Sequence, residues 1–215
     1  MMYFFRHGVA LAALVLMAGC ASVPINPLGL NRVATMRLEA VDVQVAPDAT
    51  VWWGQAERDF AEKHGAEVTA ELRKTKVGAE EVEKNASSAV ANSPAAQEYI
   101  RQEAARRLQS GLLREVSAEM HGQEPVRLDV TIHQVVMPSA AQRAVLGGQP
   151  ILRATVRLTE ARSGKEIAAY PNLTVAINAG NGVLGVMVDQ FATGDHFDEL
   201  VAKFSTQYRQ WLIKT

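Results

Sequence analysis

Between Val126 and His133 every second side chain is apolar: Val126, Leu128, Val130 and Ile132 alternate with Arg127, Asp129, Thr131 and His133. A period of two belongs to a strand with one buried and one wet face. The pattern returns at Leu152, Ala154, Val156 and Leu158, set against Arg153, Thr155, Arg157 and Thr159. Ser163-Gly164 marks a turn, and beyond it Ile167, Ala169, Pro171, Leu173, Val175 and Ile177 keep one odd-numbered phase. A hairpin centred on that dipeptide opposes Leu158 to Ala169, Val156 to Pro171, Ala154 to Leu173 and Leu152 to Val175, apolar against apolar. The other face then pairs Arg157 with Tyr170 and Thr155 with Asn172. Pro171 has no amide proton for a ladder, so it is expected at a sheet edge or a bulge. Nearer the start, Met36, Leu38 and Ala40 alternate with Arg37 and Glu39, then the phase slips to Val41, Val43 and Val45. That slip predicts a bulge near Ala40, and Pro47-Asp48 is expected to close the strand.

Helical periodicity occupies the remainder. Gln55 to Asn92 is rich in Ala, Glu and Lys, with Phe60, His64, Val68 and Leu72 at four-residue spacing and Gly65 and Gly78 interrupting. Large apolar residues are sparse, so 55–93 reads as a weakly anchored helical segment, least ordered over 74–93. Ser93-Pro94 opens a clear helix, with serine as cap and proline in the first turn. Its stripe runs Ile100, Ala104, Leu108, Gly111, Leu112, Val116 and Met120, and Gly122 is expected to end it. A last helix, capped at Thr193 or Asp195, carries Phe197, Leu200, Val201, Phe204, Tyr208, Trp211 and Leu212. Helices and strands that are each apolar on one side have an economical solution. It is an α+β domain: a roughly four-stranded, largely antiparallel sheet with two main helices on one face and water on the other.

The first residues belong to none of this. Arg6 is the one cation before an apolar run from Val9 to Ala18, and Met17-Ala18-Gly19-Cys20 follows. A short basic start, about ten apolar residues and small residues before a cut site make a secretory signal over 1–19. The run falls short of the roughly 20 apolar residues that span a bilayer. Met17-Ala18-Gly19-Cys20 resembles the lipobox of bacterial lipoproteins, with Met17 where leucine is usual. The resemblance implies cleavage before Cys20, lipid on its thiol and acylation of the new amino terminus. Cys20 is the sole cysteine, which suits an exported protein in which a spare thiol is a liability. Several acyl chains turn marginal attachment into stable anchoring. By the Gram-negative sorting pattern, Ala21 in place of Asp implies the outer membrane, periplasmic face. Residues 20–34, with two prolines, a glycine and no charge before Arg32, read as a lipidated tether. Residues 35–215 then form a single domain.

Composition narrows function mainly by exclusion. Losing the leader removes one of 22 Lys+Arg and none of 23 Asp+Glu, a formal charge of −2. That is no footprint for nucleic acid. Gly180-Asn181-Gly182-Val183-Leu184-Gly185 matches a dinucleotide fingerprint, but the second strand and acidic residue that motif needs have no room after it. His64, His121, His133 and His196 are scattered without ligand spacing, so no metal and no cofactor is expected. No serine sits in a nucleophile motif, Glu80-Glu81 and Asp198-Glu199 read as helix charges, and Trp52-Trp53 reads as core. The chain is not expected to be an enzyme.

The positive signal is geometric. The loop 137–150 leaves the second strand and enters the third, while 180–190 follows the fourth, so both emerge at one end of the sheet. They bring together Val145, Leu146, Val183, Leu184, Val186 and Met187. These form either a lid on the core or an apolar contact surface for a protein, lipid or membrane partner. Arg127, Arg153, Arg157 and Tyr170 on the wet face are a second candidate. Arg143-Ala-Val-Leu-Gly-Gly148 with Ala154-Thr-Val-Arg-Leu-Thr-Glu-Ala-Arg-Ser-Gly-Lys-Glu-Ile167 is similar to the strand-turn-strand core of small, uncharacterised Gram-negative envelope lipoproteins. Auxiliary subunits of envelope lipid transport and of outer-membrane assembly are among them. The resemblance implies a membrane-anchored, non-catalytic accessory module. The alternatives are a periplasmic hydrolase with an unrecognised site, or a structural lipoprotein serving envelope integrity.

Overall fold

A computed structural model describes residues 23–138, 148–177 and 196–214. Along the chain lie α1 (Leu30–Ala34), β1 (Met36–Trp53), α2 (Gly54–Leu72), α3 (Lys76–Ala91), α4 (Pro94–Ser117), β2 (Glu124–Met137), β3 (Ile151–Glu160), β4 (Glu166–Ala176) and α5 (His196–Ile213). The strands form one four-stranded sheet in the order β1-β2-β3-β4. The α+β class stands, but the sheet is mixed and the expectation of a largely antiparallel one needs correcting. β1 runs parallel to β2, and only β2–β3 and β3–β4 are antiparallel. The physical reason lies in the connection. Between β1 and β2 the chain makes the α2–α3 excursion and then descends through α4, and a helical crossover returns a strand in the same direction.

The expected strand faces are those that bury. Val126, Leu128, Val130 and Ile132 of β2 and Leu152, Ala154, Val156 and Leu158 of β3 are inaccessible or nearly so. They form one core with Ile100, Ala104, Leu108, Leu112 and Val116 of α4 and Phe197, Leu200, Phe204, Tyr208 and Leu212 of α5. Ser93 caps α4 by accepting a hydrogen bond from Ala96 N at 3.2 Å, with Pro94 in the first turn. The helix stops at Ser117, before Gly122. Gly122 serves elsewhere: its amide donates to Met36 O at 2.7 Å, and any side chain there would collide with the Thr35 backbone.

β1 slips against β2 between Leu38 and Ala40, where the alternation changes phase. It does not end at Pro47-Asp48. A second irregularity between Val45 and Thr50 loops those residues out, and pairing resumes from Thr50↔Gln134 to Trp53↔Met137. The β3–β4 register is right at one end and wrong at the other. Leu152↔Val175 and Ala154↔Leu173 pair as expected, but Val156 meets Tyr170 and Leu158 meets Ala168. β4 carries one surplus residue between Tyr170 and Leu173 and another between Glu166 and Ala168. Pro171 and Asn172 occupy the first bulge, Asn172 at φ 52°, a left-handed conformation that asparagine tolerates. Pro171 thus lies on an edge strand and at a bulge together. The slip moves Tyr170 from the wet face into the core, 6% exposed, its ring 5.1 Å from that of Trp211.

The 55–93 segment is two helices with a kink at Asn85. Of this segment, α2 buries only Ala56 and Phe60, and α3 buries Gly78, Val82, Ala89 and Val90. Phe60, Val90 and Ala96 make a small satellite core outside the main one.

Candidate contact surfaces

The sheet has two ends of different character. At one lie Met36, Glu124, Glu160 and Glu166; at the other lie Trp53, Met137, Ile151 and Ala176. The second end holds the stems of both glycine-bearing loops. Ile177 N donates to Pro150 O at 3.2 Å, and a methyl group on Gly148 would lie 3.8 Å from Pro138 Cγ. The stems therefore converge as the alternation pattern implies. Val145, Leu146, Val183, Leu184, Val186 and Met187 themselves lie outside the described residues, as do the Gly180–Gly185 stretch and the cap candidates Thr193 and Asp195.

Around those stems the surface is built firmly. Trp53 is buried against Phe197, ring centroids 4.2 Å apart, and the Arg107 guanidinium lies 5.1 Å from the Trp53 ring centre. Arg107 also reaches Glu103 at 2.7 Å and Asp198 at 3.1 Å. Arg106 bonds both Glu103 oxygens, at 2.7 and 2.8 Å. Hydrogen bonding to Arg106 first, and to Arg107 as well, lowers the Glu103 carboxyl to about 2 against the opposing effect of burial. The neighbouring tryptophan differs: Trp52 is 53% exposed at this end. Of the Trp52-Trp53 pair, only Trp53 is core.

The wet face of the sheet carries a set of polar side-chain contacts. Arg127 bonds Asp42 and lies 3.4 Å from Asp129, and its pKa rises above the ordinary guanidinium value through the Asp42 bond. Thr159 donates to Asp129 at 2.9 Å, His133 Nε2 meets Thr155 Oγ1 at 2.9 Å, and Arg157 is 3.5 Å from Glu166. Arg127, Arg153 and Arg157 share this face, but Tyr170 does not, because the β4 bulge turns it inward. The free edge of β1 is guarded by α4. Arg101 donates to Ala46 O at 3.0 Å and Gln109 to Val41 O at 2.6 Å, covering carbonyls that would otherwise recruit another strand. An open groove of about 450 Å³ remains there, lined in part by Val43, Val45, Pro47, Glu98 and Gln102. Among the described residues no group of three His, Cys, Asp or Glu side chains stands close enough to hold a metal ion.

The opposite end holds a feature the pattern did not announce. Residues 24–34 do not hang free. Trp211 Nε1 donates to Pro24 O at 2.7 Å, and Asn26 Nδ2 donates to Trp211 O and Leu212 O at 3.0 and 2.7 Å. Asn26 Oδ1 in turn accepts from Leu28 N at 2.9 Å. Asn26 thereby satisfies carbonyls left open at the end of α5, while Leu28 and Val33 bury in the main core. The Asn26-Pro27 dipeptide, a turn signal, was the available clue. Cys20 lies outside the described residues. No described helix is long and apolar enough to cross a membrane.

No family model and no curated protein matches the chain. Several solved structures are distantly similar. A Caulobacter crescentus protein with a provisional lipoprotein designation is 16% identical, covering 51% of this chain and 80% of its own, at a TM-score of 0.31. A Xanthomonas campestris protein of the family DUF330 is 15% identical over 50% of this chain and 59% of its own, at 0.34. The PelC dodecamer subunit from Paraburkholderia phytofirmans is 11% identical over 90% and 97%, also at 0.34. Those scores are too low to carry an argument, and the functional reading rests on the residues.

Proposed function

We propose that this chain is an exported lipoprotein, lipidated at Cys20, that works as a non-catalytic accessory module on the periplasmic face of the outer membrane. The supporting observation is the join between leader and body. The sole cysteine closes a lipobox-like sequence, and the folded domain is fastened from Pro24 onward, four residues later. An attachment point so close to the body suits a domain that works at a membrane surface. The partner surface in this reading is the loop-bearing end. Val145, Leu146, Val183, Leu184 and Met187 supply apolar contact area there, above stems that β2, β3 and β4 hold together, and the occupant is an envelope protein.

Labelling cells with radioactive palmitate tests the anchor: the chain takes up label and the Cys20→Ser variant does not. An unlabelled wild-type chain overturns the reading. In-cell crosslinking tests the partner surface. A specific envelope partner is captured by the wild type and lost in a Val145→Asp, Leu184→Asp variant that still folds.

A further inference from the structure

The strap that fastens the N-terminal residues ends beside apolar surface the fold does not use. Among the described residues Val23, Ile25 and Leu30 are 65%, 93% and 48% exposed, three large hydrophobic side chains within one short stretch. They lie on the segment pinned to the end of α5 by Asn26 and Trp211. The β3–β4 hairpin turns at this same end and presents Arg162 and Lys165, and Lys214 follows α5; all three are exposed. None has an ion-pair partner among the described residues. The carboxylates nearby are mostly engaged: Glu124 by Arg32, Glu119 by Arg209 at 2.6 Å and Glu166 by Arg157 at 3.5 Å. The Glu160 carboxylate accepts a hydrogen bond from Ser163, at 2.6 Å.

We propose that this end is a lipid-docking face, with Val23, Ile25 and Leu30 set into the headgroup boundary of a bilayer and Arg162, Lys165 and Lys214 meeting lipid phosphates. The inference rests on lipid attachment at Cys20 and adds an orientation to it. Chain length carries the argument. Four residue steps separate Cys20 from Pro24, and a fully extended chain covers at most about 14 Å in four steps. A lipidated Cys20 therefore cannot lie further than that from Pro24, which Trp211 holds beside the α5 terminus, and the body has to approach the bilayer with this end foremost. Side chains held there meet the interface, where apolar groups gain by burial and cations gain from anionic lipid. A free tether of fifteen residues would impose no such constraint.

A depth measurement on the full-length lipidated chain decides the matter. With the Cys20 thiol consumed by lipid, a fluorophore on Ile25→Cys or Thr50→Cys reports one site each. Thr50 is exposed near the opposite end of β1. In vesicles of phosphatidylethanolamine and phosphatidylglycerol, the Ile25 site should emit to the blue. A bilayer-borne nitroxide should quench it several-fold more than the Thr50 site. Reversing the hairpin cations (Arg162→Glu with Lys165→Glu) should reduce that quenching in anionic vesicles and leave it unchanged in zwitterionic ones. Equal quenching at both sites, with mass spectrometry finding lipid on Cys20, overturns the docking face and leaves the anchor standing. An unmodified Cys20 thiol overturns both.

Discussion

Glu103 lies under two guanidinium groups, and the consequence is a pH dependence with a definite sign. Its carboxyl is held at about 2, against an ordinary value of 4.5. A depressed folded-state value means the contribution is complete above 4.5 and is lost as pH falls from there through about 2. Denaturation of the Glu103→Gln variant, followed from pH 6 downward, should show a flatter acid limb than the wild type. A parallel curve would mean that the pair contributes no folding energy. Gly111 is the contrasting case, in which absence of a side chain is the contribution. It faces Val201 and Ser205 across the α4–α5 contact, and a methyl group there would run into Val201 Cγ1. Gly111→Ala should cost about 1–3 kcal/mol despite the better helix propensity of alanine, as overpacking of a filled contact does. Adding Val201→Ala should recover part of that in equilibrium unfolding.

At the scale of elements, the alternation of side chains is a sound guide to which face of a strand is buried and a poor one to where its count slips. β2 and β3 are interior strands whose one Pro or Gly is Pro125, at the start of β2, and their faces are those the pattern names. β4 is an edge strand, free to carry surplus residues on its unpaired side, so the bulge at Pro171-Asn172 shifts Tyr170 and Ala168 inward without any apolar side chain changing identity. β1 outlasts Pro47-Asp48 because the looped-out residues are held by Arg101 of α4, a contact between residues 55 positions apart that no local window contains. Rooting of elements also sets their order of opening. α2 and α3 bury few side chains and touch the main core little, so their amides should exchange first in hydrogen-exchange mass spectrometry, at denaturant below the global midpoint. Co-exchange with α4 would show that the satellite core is no separate unit. The Asn26 strap is a second local unit. Asn26→Ala removes two side-chain donations and should cost about 1–2 kcal/mol, read as faster exchange over 24–34 and at the end of α5.

For the whole molecule, direction of chain travel decides what faces where. The helical crossover makes β1 parallel to β2, which sends the strap, the hairpin and the ends of α4 and α5 to one side, and the stems of the two long loops to the other. Convergence of the loop stems was legible from alternation alone, since it needs only the order of β2, β3 and β4. The strap was not, because it joins Pro24 and Asn26 to Trp211 across nearly the whole chain and leaves no periodic trace. The Val145→Asp, Leu184→Asp variant sorts the two readings of the loops. If they lie over the core, its thermal midpoint drops by several degrees; if they meet a partner, the midpoint holds and the crosslinked species disappears.

The strap also has a mechanical corollary. Tension drawn from acyl chains into this protein would have no slack to take up. It would enter the body at the carboxyl end of α5 and, through α1, at the first residue of β1. With a partner tugging at the far loops, the β1–β2 ladder would be loaded lengthwise, so that its hydrogen bonds share the strain together. Peeling one at a time would require the pull to come from the side.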